Sequence, residues 1–226
     1  MPDTKISDLT AMTETDGAEE LVVNDAGVSK KITHANLMSG AQNAADNIFL
    51  GQATGEDITT GTDNTFIGDN AGANTTDADY NTAVGSSSFV INTTGASNTA
   101  VGYGALDANT TADANTGVGY NALTANSTGT NNVAVGSSAL AANSTGQGNV
   151  AVGKDAGLGV TTGSDNTAVG YNALEATTTA SYNTAVGKDA LQTNTTGATN
   201  TGLGFKALEA NTTASTNTAV GASALL

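Results

Sequence analysis

The chain repeats itself every seventeen residues without an insertion. NTAVGYNALEATTTASY (residues 166–182) is followed at once by NTAVGKDALQTNTTGAT (residues 183–199). Taking the glycine of Asn-x-x-[Val/Ile/Leu]-Gly as position zero, the glycines are Gly51, Gly68, Gly85, Gly102, Gly119, Gly136, Gly153, Gly170, Gly187, Gly204 and Gly221. Eleven copies at one interval imply units that touch their neighbours, because a lost residue would disturb the next copy.

That regularity outweighs composition. Leu, Ile, Val and Phe total 39 of 226 residues and the net charge is −15, a balance that by itself reads as disorder. Disordered linkers drift in length, and this chain does not, so the repeat region is expected to be ordered. The remaining composition excludes whole classes. There is no Cys, hence no disulfide or thiolate metal site. No apolar run approaches the ~20 residues of a membrane-spanning helix. The first residues, MPDTKISDLT, lack the basic and apolar regions of a secretory signal. With six Lys and no Arg, nucleic acid is not an expected partner.

Within the repeat, Asn stands at position −4 in every copy: Asn47, Asn64, Asn81, Asn98, Asn115, Asn132, Asn149, Asn166, Asn183, Asn200 and Asn217. Position −1 is always aliphatic and −3 is Thr in eight copies, which puts branched residues on one face of an extended strand. Position −2 is Ala or Gly except at Phe49 and Phe66. Ala at +3 (nine copies) and Leu at +4 (seven copies) form a second apolar pair. Thr-Thr-Gly, Ser-Thr-Gly or Thr-Thr-Ala near +8 to +10 supplies turn residues. Seventeen residues are too few for a helix–turn–helix repeat of ~34. They fit one coil of an all-β parallel β-solenoid, with coils ~4.8 Å apart and a rod of about 50 Å for eleven coils. Stacked Asn side chains are expected to form an amide ladder, and the Gly column to mark a backbone conformation or close approach closed to side chains.

The chain divides at residue 46, with the roll over 47–226. Residues 1–46 hold Lys5, Lys30 and Lys31, half of all lysines. Leu21–Val23 and Val28–Ile32 flank Asn24-Asp25-Ala26-Gly27, a hairpin signal. Thr33 is placed to cap a short helix through His34, Ala35, Leu37 and Met38. Such a module is too small to bury much core.

No constellation points to catalysis, and no cofactor or metal is implied. His34 is the single histidine, and Asp107, Asp113, Asp155 and Asp165 fall at different coil positions. Asn-x-Ser/Thr triplets beginning at Asn74, Asn92, Asn109, Asn126, Asn143, Asn194 and Asn211 match the glycosylation acceptor; their plainer reading is turn residues. Thr pairs such as Thr195-Thr196 and Thr212-Thr213 resemble the arrays of ice-binding solenoids, but Ser127 and Ser144 interrupt them. Position +1 varies freely: Gln52, Asp69, Ser86, Tyr103, Tyr120, Ser137, Lys154, Tyr171, Lys188, Phe205, Ala222. Such variation implies exposure; its plainer reading is tolerated surface variation, and the alternative makes Tyr103, Tyr120, Tyr171 and Phe205 candidate ligand contacts that stack on the sugar rings of a host glycan.

The Asn-Thr-Ala-Val-Gly-x-x-Ala-Leu unit resembles the Asn-Ser-x-Ala-Ile-Gly head repeat of trimeric autotransporter adhesins, which are left-handed β-rolls; similar repeats occur in bacteriophage tail-fibre shafts. Residues 5–37, KISDLTAMTETDGAEELVVNDAGVSKKITHANL, resemble the virion-proximal start of phage fibre proteins. The resemblance implies a homotrimeric virion fibre protein. Residues 1–46 would dock to a tail or capsid protein, and the roll would act as a stiff spacer toward the host, meeting a surface glycan or a distal fibre protein, with no membrane insertion. The alternative is an adhesin head segment that binds a host ligand directly, and a third is an ice-binding solenoid. In the trimer reading the −3/−1 face fills a thin core and the +3/+4 face meets the partners, although the repeat alone leaves open which face points inward. Phe49 and Phe66 look like plugs for the first coils. No equivalent change occurs near Leu226, which leads to the expectation that a tip, a chaperone domain or another protein continues the rod.

Overall fold

The computed structural model describes residues 20–25, 28–33 and 46–226. In the first part, β1 (Glu20–Asp25) and β2 (Val28–Thr33) pair antiparallel from Glu20↔Thr33 to Asp25↔Val28, the hairpin expected around Gly27. The helical connector at residues 34–38 lies outside the described residues.

Residues 46–226 are a parallel β-solenoid. Eleven strands of three residues, from β3 (Ile48–Leu50) to β13 (Thr218–Val220), form one sheet in strict sequence order. Every pairing is offset by seventeen residues: Val169 is level with Val152 on one side and Val186 on the other. No helix occurs among the described residues of the roll.

Alternation along the strand settles which residues point inward. In the interior coils Asn at −4 is buried, −3 is partly exposed, −2 is buried and −1 is partly or fully exposed. The core is therefore built from Ala at −2 packed against Ala at +3 and Leu at +4: Ala100, Ala105, Leu106, Ala122, Leu123, Ala134 and their equivalents. This reverses the expected assignment of faces. The Thr/Val face lies outward, while the Ala-Leu pair closes the interior of the same chain. Parity is the physical reason, since −4 and −2 lie on one side of an extended strand. An inward asparagine ladder carries −2 inward with it.

Between strands the backbone continues to bond from coil to coil. Leu106 N–H donates to the Ala122 carbonyl (3.0 Å), Ala108 to Thr124 (3.0 Å) and Thr110 to Ser127 (3.1 Å). The Leu at +4 sits in the left-handed region (Leu106 φ 52°, Leu123 φ 53°). That conformation costs roughly 1–2 kcal/mol per residue, and burial of the side chain offsets it. The zero-position glycines have φ from 126° to 145°. A Cβ on Gly102 would lie 2.4 Å from the carbonyl oxygen of Gly119, so both the conformation and the close approach require glycine.

Candidate functional surface

The polar interior is structural. In the −4 column each Asn Oδ1 accepts from the backbone N–H of the next Asn, and at most steps from its side-chain amide as well: Asn98 Oδ1 takes Asn115 N–H at 2.9 Å and Nδ2–H at 3.2 Å. The amides also reach across the coil, as Asn132 Nδ2–H does to the Gly146 carbonyl at 2.8 Å. The expected ladder thus bonds along the rod and across it.

A second ladder runs at position +7. Asn109 Nδ2–H donates to Asn92 Oδ1 (2.8 Å), Asn126 to Asn109 (3.1 Å) and Asn143 to Asn126 (2.9 Å). These residues begin the glycosylation-type triplets. Asn92, Asn109, Asn126, Asn143 and Asn194 are fully buried, so a glycosyltransferase could not reach them in the folded roll; Asn74 is exposed. The ladder stops at Val160, leaving Asn143 Oδ1 without a hydrogen-bond partner. Sequence reading took these asparagines for turn residues, although six of them share one column at the seventeen-residue interval.

The Ser and Thr hydroxyls at +8 are engaged as well. Thr93, Thr110, Ser127, Ser144 and Thr161 each donate to the carbonyl of the equivalent residue in the next coil, at 3.0–3.1 Å. Serine and threonine perform the same bond here, so Ser127 and Ser144 do not break the ladder. Two aspartates prove to share a column with serines: Asp79 accepts from Thr62 N–H and Asp113 from Ala96 N–H, both at 2.7 Å, as Ser181 Oγ does from Ser164 N–H. Asp155 instead stands beside Lys154, and Asp165 has φ 56°, a left-handed conformation that Asp tolerates better than most residues. Asp77 accepts from Thr59 and Thr60, which holds its carboxyl below the ordinary value. Partial burial pushes Asp107 up. Among the described residues no group of three or more His, Asp or Glu is arranged to hold a metal ion.

Two exposed surfaces remain. One is the −3/−1 stripe, with Leu50, Ile67, Val135, Val152, Val186, Leu203 and Val220 among its exposed apolar members. The other is the +1 column. Tyr103, Tyr120, Tyr171 and Phe205 are all exposed, as the variability of that column implied. The structure brings them together in two groups. Tyr103 and Tyr120 stack on each other with centroids 5.6 Å apart and planes 12° from parallel. Farther along, cations and rings alternate. Lys154 lies 5.3 Å from the Tyr171 centroid, Lys188 lies 5.8 Å from Tyr171 and 5.6 Å from Phe205, and Lys206, at +2, lies 5.6 Å from Phe205. Hydrogen bonds to Asp155 and Glu209 raise the pKa of Lys154 and Lys206. Lys188 pairs with Asp189 at 3.3 Å. Sequence reading singled out the rings and missed the lysines between them, because lysine within a variable column reads as solvent-facing variation.

Among the described residues no helix is long and apolar enough to cross a membrane. No protein-family model matches the chain, and no curated protein or solved structure matches it either.

Proposed function

We propose that this chain is a structural fibre protein of a phage virion: residues 1–46 dock to a tail or capsid protein and the roll is a stiff, trimeric spacer. One observation carries the reading. Eleven strands stack in one register with no break in backbone pairing, giving a rod of about 50 Å whose polar interior is bonded along and across the axis. Such a body transmits length and stiffness and needs no cavity. The fibre-like sequence of residues 5–37 supports the docking role and the virion location. Particles assembled with this chain lacking residues 1–46 should lose it. If truncated chains still copurify with particles, the docking role is wrong.

The outward stripe supports the trimer. With Ala-Leu buried inside the protomer, the −3/−1 face is available to partners, with an aliphatic side chain at −1 in every coil beside mostly threonine at −3. Contiguous apolar surface on this scale usually marks an interface. Light scattering at micromolar concentration should give three chains per particle, and Val135→Lys with Val152→Lys should lower that number. A wild-type monomer would refute the assembly.

The +1 column favours a second reading, an adhesin segment that binds a host-surface glycan directly, since four large rings stand exposed on one stripe. Replacing Tyr103, Tyr120, Tyr171 and Phe205 by Ser leaves a spacer competent and abolishes adhesion by a glycan binder.

A further inference from the structure

We propose that the lysine–aromatic ladder of Lys154, Tyr171, Lys188, Phe205 and Lys206 binds a linear acidic polysaccharide laid along the rod, a ligand class that rests on the glycan-binding reading of the +1 column. Three observations lead there. The first is placement. Lys154, Lys188 and Lys206 are the only lysines after Lys31; the first two lie on this stripe and Lys206 beside it, all three over rings. Each is pinned by a carboxylate beneath it, and the ammonium groups are the outer layer: the Lys154 and Lys188 side chains are 58% and 56% exposed, against 17% and 9% for Asp155 and Asp189. An approaching anion meets the cations first. Their side chains are already ordered by the rings and acids, so binding immobilises little more.

The second is spacing. Lys154 and Lys188 are separated by two coils, about 10 Å at the separation of parallel strands. That is the length of two pyranose rings in an extended chain, so a polymer with one carboxylate per disaccharide presents its charges in step with the two ammonium groups. Tyr171 stands halfway between them, level with the intervening neutral sugar.

The third is the distribution of charge. Residues 1–80 contain fourteen acids and three lysines, a net −11, whereas residues 81–226 contain seven acids and three lysines, a net −4. Within the roll, residues 46–80 hold seven acids and no lysine. A polyanion is repelled less at the ladder than at that end, residues 154–209 holding five acids and three lysines with the ammonium groups outermost. A nucleic acid fits poorly. Its charge is denser than two or three cations can match.

The test uses the full chain and calorimetric titration at low salt with two probes: a hyaluronan octasaccharide, which carries one uronate per disaccharide, and the same oligosaccharide with its carboxyls reduced to alcohols. The acidic form should bind at least about tenfold more tightly than the neutral form, and its affinity should fall several-fold as NaCl rises to physiological strength. Lys154→Gln together with Lys188→Gln should weaken acidic binding about tenfold while leaving the melting temperature unchanged. Thr94→Ala, on another column, is the control. Equal binding of both probes, or binding untouched by the lysine substitutions, overturns the acidic class and leaves the glycan reading standing. Binding of neither probe overturns both.

Discussion

The first two coils and the middle of the roll fill the same core with opposite residues. In the first two, Phe49 and Phe66 stand at −2 and Gly55 and Gly72 at +4; from Ala83 to Leu140, Ala or Gly stands at −2 and Phe89 or Leu at +4. The rings of Phe49 and Phe66 stack 5.5 Å apart along the axis. A Cβ on Gly72 would lie 2.4 Å from the Phe66 ring, and one on Gly55 would lie 2.8 Å from Phe49. Conversely, at Gly117, where −2 is glycine, an added Cβ would meet Leu106 at 3.3 Å. A third arrangement occurs at Gly157, where +4 again lacks a side chain and Leu140 of the preceding coil (2.9 Å from an added Cβ) and the buried Val160 at position +7 (3.6 Å) take up the space. From Phe66 to Leu208 each coil buries one large apolar group, supplied from any of three positions, whereas the first coil packs both Phe49 and Ile58 against the core. The preserved quantity is the volume of the slot. The same exchange explains the break in the second asparagine ladder: Val160 fills a slot that its own +4 residue leaves empty.

The largest effect should come from exchanging the two solutions within one coil. Phe66→Ala alone empties the slot and should cost about 3–5 kcal/mol. Gly72→Leu alone drives a side chain into the ring and should cost about 3 kcal/mol. Made together they convert the coil to the middle type, and most of the loss should return, with a coupling of about 3 kcal/mol in urea unfolding. Simple additivity would mean that the two positions do not share one slot.

The two asparagine columns should differ next. Asn132→Ala removes the acceptor of Asn149 N–H and the donor to the Gly146 carbonyl, both buried, for a loss of about 3 kcal/mol. Asn126→Ala breaks side-chain bonds to Asn109 and Asn143 and to the Gly129 carbonyl, with no backbone N–H stranded, for about 2 kcal/mol. Equal melting shifts would show that the backbone acceptor role of the −4 column contributes nothing extra.

A smaller, opposite effect is expected at the interruption. Gly157→Leu with Val160→Asn gives the coil the middle pattern and supplies a partner for Asn143 Oδ1. The pair should raise stability by about 1 kcal/mol, whereas Val160→Asn alone should lower it. A pair less stable than the wild type would reject the slot account of Val160.

The smallest effect concerns charge in the early and middle coils. Asp77, in an early coil, is held ionised by Thr59 and Thr60, whereas Asp107, in a middle coil, is raised by burial. A carboxyl whose pKa is raised on folding destabilises the fold while ionised and ceases to do so once protonated. Asp107→Asn should therefore raise the melting temperature slightly near pH 7, with the gain vanishing as pH falls below the carboxylate range. A gain that persists near pH 3 would assign the effect to something other than charge.

Much of the fold was legible because the repeat is periodic to the residue. The seventeen-residue offset, the strand at −3 to −1, the Asn ladder and the Gly column follow from identical residues stacking on identical residues, and every pairing obeys them. The second ladder was equally present in the sequence but hidden by its local chemistry, since Asn-Ser-Thr and Asn-Thr-Thr read as turns. Of the candidate surface, the exposure of Tyr103, Tyr120, Tyr171 and Phe205 was legible from variability. Their grouping was not, because whether a ring meets another ring or an ammonium depends on how side chains lean toward the next coil.

The sequence by itself determined the coil length, the parallel register and the number of strands, since only stacking at a seventeen-residue offset brings like residues together. What tertiary structure decided is the side of the strand that faces inward. Both faces are rich in small or branched apolar residues, Thr and Val on one and Ala with the +3/+4 Ala-Leu pair on the other, so hydrophobicity along the chain does not separate them. Closure of the coil separates them. The left-handed corner at Leu106 and its equivalents turns the +4 side chain toward the axis, where it packs against the small −2 residue. Asn at −4 must then bond within the interior, and the Thr/Val face is left outside.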